Sequence, residues 1–172
     1  MNAKWFLASI LMLAVLAVLA ATANAGVFSV TPFASDDLAG ARLLYRVSEE
    51  SRTSIGLDGA WIDGALDLEN DEAARVSFVG TYDVIQTAPL NIAIAEIPST
   101  VYVGVLGGVQ FGEDDEDASA ALMTGVRFGD GVKGVNLGIE YQYLLDKDLW
   151  RELGTFDDTG RILATVGYAF PF

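Results

Sequence analysis

The chain contains no cysteine and no histidine. Without cysteine there is no disulfide framework and no thiol chemistry. Without histidine the commonest general base is missing, and with it every Ser-His or Asp-His catalytic arrangement. The sequence is therefore read as non-enzymatic, with neither a cofactor nor a catalytic constellation expected. Long hydrophobic runs are scarce too: after residue 25 none approaches the ~20 residues that a spanning helix needs. Yet 52% of the 172 residues are apolar, and the mean hydropathy is +0.36. Apolar content without long runs has to be dispersed, and alternation along strands disperses it. Basic residues number ten against 24 acidic ones, a net charge of −14. That balance argues against nucleic acid or anionic headgroups as partners of the whole surface.

The first 25 residues read as a cleavable secretory signal helix. Lys4 supplies the positive n-region, Trp5 to Ala21 the apolar stretch, and Ala23-Asn24-Ala25 the small-residue cleavage site. An uncleaved anchor is the competing reading, although the run is at the short limit for spanning. Cleavage would leave residues 26–172 as one exported domain.

From Gly26 onward the chain alternates with period two, the spacing of a strand with one apolar face. The last stretch, Arg161 to Phe172, sets Ile162, Ala164, Val166, Tyr168, Phe170 and Phe172 against Arg161, Leu163, Thr165, Gly167, Ala169 and Pro171. Similar alternation predicts strands over Gly26–Phe33, Ala39–Val47, Thr53–Ile62, Ala74–Val84, Thr100–Phe111, Ser119–Phe128 and Val135–Leu145. Ser48-Glu49-Glu50-Ser51 and Gly129-Asp130-Gly131 are turn signals. Eight strands of this length match the ~9–11 residues of a tilted membrane strand, and closure spares such a sheet its unpaired edges. The expected fold is an all-β, eight-stranded antiparallel up-and-down transmembrane barrel.

One stretch is ambiguous. Ile85–Ser99 contains Pro89 and Pro98 around the apolar Asn91–Ala95, and is read as a long connection at the periplasmic end. The rival reading makes Asn91–Ile97 a strand, drops Gly26–Phe33 and still totals eight. The first register gathers the acidic connections on one rim: those around Asp36 and Asp37, over Asp63–Ala73, over Glu113–Asp117 and over Asp146–Gly160. Long outer loops with short periplasmic turns are the pattern of such barrels.

Eight charged residues fall on the inward register: Arg42, Arg46, Asp58, Arg75, Asp83, Arg127, Glu140 and Arg161. On a lipid-facing register each would cost roughly 2–4 kcal/mol near the midplane. Five guanidinium groups and three carboxylates are suited to forked pairing across a narrow interior. The expected result is a packed, salt-bridged plug, since eight strands enclose little more than their own side chains. A polar path with slight anion preference is the alternative. Inward glycines, among them Gly40, Gly104, Gly125 and Gly138, are expected to make room for large lumen neighbours.

The run Glu113–Asp117 lacks the spacing and central glycine of a calcium loop and reads as a solvated tip. Trp61, Tyr45, Tyr82, Phe111, Phe128, Tyr141, Tyr143 and Phe170 sit on the outward register as interfacial aromatics. Trp150 and Phe156, in the last acidic loop, either pack on the rim or offer a surface to an unidentified extracellular partner.

The exported eight-strand pattern, ending in Gly167-Tyr168-Ala169-Phe170-Pro171-Phe172, resembles the small bacterial outer-membrane barrel superfamily. That group includes the opacity-type proteins and the OmpA and OmpX transmembrane domains. The resemblance implies an outer-membrane location, with membrane lipid and lipopolysaccharide as surroundings. It further implies that Tyr168, Phe170 and Phe172 form the signal read by the barrel-assembly machinery. Pro171 departs from the polar residue usual at the penultimate position. A structural or surface-interaction barrel and a narrow transport pore are the two functional classes left. A soluble, lipocalin-like periplasmic barrel is more distant and requires the charged face outward.

Overall fold

The computed structural model of the chain describes residues 26–35, 38–63, 72–92, 95–111, 116–145 and 160–171. The expected signal segment, Phe172, Trp150, Phe156 and most of the long acidic connections lie outside these residues. The described residues form eight strands: β1 (Val27–Ala34), β2 (Leu38–Arg46), β3 (Thr53–Asp63), β4 (Glu72–Ile92), β5 (Ala95–Phe111), β6 (Glu116–Phe128), β7 (Gly134–Leu145) and β8 (Gly160–Pro171). Each pairs antiparallel with its neighbour in sequence, and β8 pairs with β1 to close the barrel. The expected fold is therefore the observed one, and β1 rather than Asn91–Ile97 completes it.

Closure has a definite stagger. A path along paired residues from Pro171 passes Val27, Arg46, Ser54, Thr81, Gly104, Met123 and Gln142. It returns to β8 at Arg161, ten residues from its start. An even offset is required, because an odd one would bring an inward residue round to an outward position. The stagger also obliges the strands to tilt.

The alternation read from sequence is the alternation observed. Arg42, Asp58, Arg75, Tyr102, Met123, Glu140, Gln142 and Leu163 are buried inside, while Ile55, Phe78, Val105, Leu122, Leu137, Ile139 and Ile162 are exposed outside. Phe78 is 74% exposed and Ile162 67%, whereas Asp58 and Glu140 are 0% exposed. In a water-soluble fold this partition would be inverted. Two apolar clusters line the lumen and share β2. Phe33, Leu38, Ala60 and Leu163 come from β1, β2, β3 and β8; Leu44, Val79, Leu106, Ala121 and Met123 come from β2, β4, β5 and β6.

Outside, aromatics form a row at the end that carries the termini. Phe28 pairs with Tyr45 on one side and Phe170 on the other. The Tyr168 and Phe170 rings lie 4.5 Å apart, tilted.

The turns obey their local chemistry. Ser51 N–H donates to the Ser48 carbonyl at 3.1 Å between β2 and β3. Gly129 (φ 120°), just after β6, and Gly134 (φ 80°), the first residue of β7, occupy backbone regions that side chains disfavour. There the Asp130 carboxylate accepts from Val132 N–H at 2.9 Å.

Ile85–Ser99 is not the loop expected. It is a hairpin that prolongs β4 and β5 past their neighbours, the register shifting between Asp83 and Ile85 and again between Thr87 and Leu90. The second shift spans Ala88-Pro89, where proline has no N–H for the ladder. Side chains fill the gap: the Thr87 and Ser99 hydroxyls bond each other, and Ser99 Oγ donates to the Ala88 carbonyl at 3.3 Å. Prolines read as strand breakers are here accommodated by a bulge. Replacing Ser99 by alanine is expected to speed amide hydrogen exchange at residues 85–87 while leaving 101–109 protected. Uniform protection in the variant would show that the hydroxyl pair does not hold the extension.

Candidate functional site

The inward charges assemble into two groups. In the central one, Arg42 on β2 is the hinge. Its Nε and Nη2 each lie 3.1 Å from Asp58 Oδ2, while its Nη1 and Nη2 reach the two Glu140 oxygens at 2.6 and 2.9 Å. Arg75 Nη2 donates to Asp58 Oδ1 at 3.0 Å, so Asp58 is shared by two guanidinium groups. Glu140 also accepts from Tyr102 Oη at 2.6 Å and from Gln142 Nε2 at 2.7 Å. A carboxylate offers about four lone-pair sites, and Glu140 has four donors on it. The Phe33 ring lies 5.3 Å from the Arg42 guanidinium carbon, a cation–π contact away from water.

Chain geometry makes this meeting possible. Arg42 and Asp58 are cross-strand partners on β2 and β3. Glu140 comes from β7, three strands from β2 by way of β1 and β8, so the Arg42–Glu140 fork ties one wall to another.

The second group lies toward the termini. Asp83 accepts from Arg46 Nη2 at 2.6 Å and from Arg127 Nη2 at 2.9 Å, while Arg46 Nε donates to Ser54 Oγ at 3.3 Å. These side chains are 9–16% exposed, wetter than the central group. The central group balances two arginines with two carboxylates; this one carries a surplus positive charge.

Seven of the eight lumen charges expected from sequence thus pair with one another. Arg161 faces inward beside Gln142 and is engaged in its own contact. Of the expected assembly residues, Tyr168 and Phe170 are outward and exposed, and Phe172 lies outside the described residues. Sequence reading missed Tyr102, Gln142 and Phe33 as members of the network. A signal for Tyr102 was present: an inward tyrosine paired with an inward glycine, Gly125. A Cβ on Gly125 would come within 2.6 Å of the Tyr102 ring and hydroxyl.

Glu140 thus has a donor for each of its lone-pair sites, and Asp58 accepts three hydrogen bonds, two from Arg42 and one from Arg75. Buried ion pairs gain little over well-packed apolar groups, but removing one partner leaves an uncompensated charge and costs about 3–5 kcal/mol. Glu140→Ala is therefore expected to destabilise the barrel by about that much, read from the urea midpoint of the compact electrophoretic form. The Arg42→Met/Glu140→Leu pair should cost clearly less than the sum of its single changes; additivity would mean the two groups are not coupled. Gly125→Val should cost about 1–3 kcal/mol by displacing Tyr102, and Tyr102→Ala in the same chain should relieve part of that loss.

No family model matches the chain, and no curated protein matches it. Among solved structures it is similar to the N-terminal β-barrel domain of Pseudomonas aeruginosa OprF, at 10% sequence identity and a TM-score of 0.38. The match covers 87% of this chain and 98% of that one. The fold assignment rests on the strand pairing itself.

Proposed function

We propose that this chain is an integral outer-membrane barrel, exported by its signal peptide, with a structural or surface-interaction role and a lumen closed by side chains. The observation that carries the reading is the inverted partition. Outward positions over Ala39–Tyr45, Thr53–Trp61, Ala74–Tyr82, Val101–Phe111, Val135–Leu145 and Ile162–Phe170 hold no charged residue, while arginines and carboxylates are buried inside. Hydrocarbon is the solvent in which such a surface is stable. The lipocalin-like alternative needs the reverse orientation, with the charges outward, and the burial of Arg42, Asp58, Arg75 and Glu140 opposes it.

The antiparallel order puts the β1–β2, β3–β4, β5–β6 and β7–β8 connections at one end and the termini at the other. The first set carries the acidic stretches read from sequence. In this proposal they face outward, toward lipopolysaccharide and any extracellular partner. The aromatic row at the other end marks the periplasmic interface, where Tyr168 and Phe170 are available to assembly machinery. The Arg42–Glu140 fork between two apolar clusters supports a plugged lumen over a pore. The role is non-catalytic, in keeping with a sequence devoid of histidine and cysteine.

Fractionation of expressing cells is expected to place the protein in the outer membrane, with an electrophoretic band that shifts on boiling. Planar bilayers containing it should show no discrete conductance steps. Recovery as a soluble periplasmic protein would overturn the location, and steady single-channel steps would overturn the closed lumen.

A further inference from the structure

Below the central ion pairs the lumen holds a cavity of about 30 Å³, room for one or two water-sized species. Its wall includes Arg42, Arg127, Thr31, Thr81, Asn136 and Thr165, and no carboxylate. Thr81, Asn136 and Thr165 are buried, and among the described residues none of their side chains bonds another residue. Arg127 Nε is buried with no hydrogen-bond partner there. The nearby carboxylates are directed elsewhere. Asp83 is held by Arg46 and Arg127, Asp130 bonds the amide of Val132, and Glu140 is enclosed by Arg42, Tyr102 and Gln142.

We propose that this cavity is a binding site for one small monovalent anion of halide size, chloride in ordinary media. Three observations converge on it. Donors surround the space: a guanidinium N–H, three threonine hydroxyls and an amide. Among the described residues Arg46 and Arg127 pair with Asp83 alone, so one positive charge next to the cavity is unbalanced. The volume suits a halide better than phosphate or sulfate with their hydration. Water would satisfy the donors but leave the surplus charge of this part-buried group without a counter-ion, and a charge partly withdrawn from water gains from one. Gly131 of the β6–β7 turn forms part of the wall on the termini side. The site stands whether or not the barrel conducts.

Crystals of the full chain grown in bromide test this directly. One anomalous peak is expected in the cavity, within hydrogen-bond reach of the Arg127 guanidinium and Thr165 Oγ1. In detergent solution at constant ionic strength, chloride-35 line broadening by the protein should be displaced by bromide and unaffected by sulfate. Arg127→Gln should abolish it; because that change also disturbs Asp83, Thr165→Val provides the second arm. It removes one donor at constant shape and should weaken bromide binding roughly tenfold, the worth of a hydrogen bond to a charged group. Water alone in the cavity, or bromide bound equally well by Thr165→Val, would overturn the assignment.

Discussion

Closure of the sheet is the constraint on which everything else depends. A ring of eight strands has no edge to satisfy, so all backbone pairing is internal. It also has two faces that cannot be exchanged: a one-residue slip anywhere would turn a strand's charges outward and its hydrophobes inward. The offset of ten between Pro171 and Arg161 preserves the alternation through the seam. The sequence reinforces this choice on every strand. Arg42, Asp58, Arg75 and Glu140 are each two residues from another inward position and next to an apolar outward one.

Charge inside a narrow ring then has to be neutralised locally. Arg42 reaches carboxylates on β3 and β7, and through Tyr102 and Gln142 the network extends to β5 and along β7. Such a network adds little net stability over apolar packing. What it supplies is selectivity: any register that separates these partners strands a charge. Glycine at 125 belongs to the same logic, since the Tyr102 ring occupies the space its side chain would fill. The two tiers differ in balance, the central one neutral and the lower one positive by one. That difference is where the proposed anion site arises.

Much of this was legible from residue order. Period-two alternation fixes faces without knowledge of partners, so every inward charge could be placed before any contact was known. Turn glycines and the aromatic C-terminal strand set the strand count. Which charges meet was not legible, because the stagger decides it: Arg42 and Glu140 are 98 residues apart. Tyr102 was hidden for the same reason, its role depending on a glycine one strand away. The β4–β5 extension escaped because Pro89 and Pro98 are normally evidence against strands. Here a bulge and two hydroxyls absorb the missing donor at Pro89.

The central claim is that the apolar face meets lipid and the charged face is sealed. Since the chain has no cysteine, spin labels can be placed one at a time along β7 from Val135 to Tyr143 in barrels reconstituted into bilayers. The account predicts a period of two. Labels at 135, 137, 139, 141 and 143 should be highly accessible to oxygen and poorly accessible to a water-soluble nickel reagent, and labels at 136, 138, 140 and 142 shielded from both. Nickel accessibility at Ile139 equal to that of a loop would contradict it, because the exposed face would then be in water.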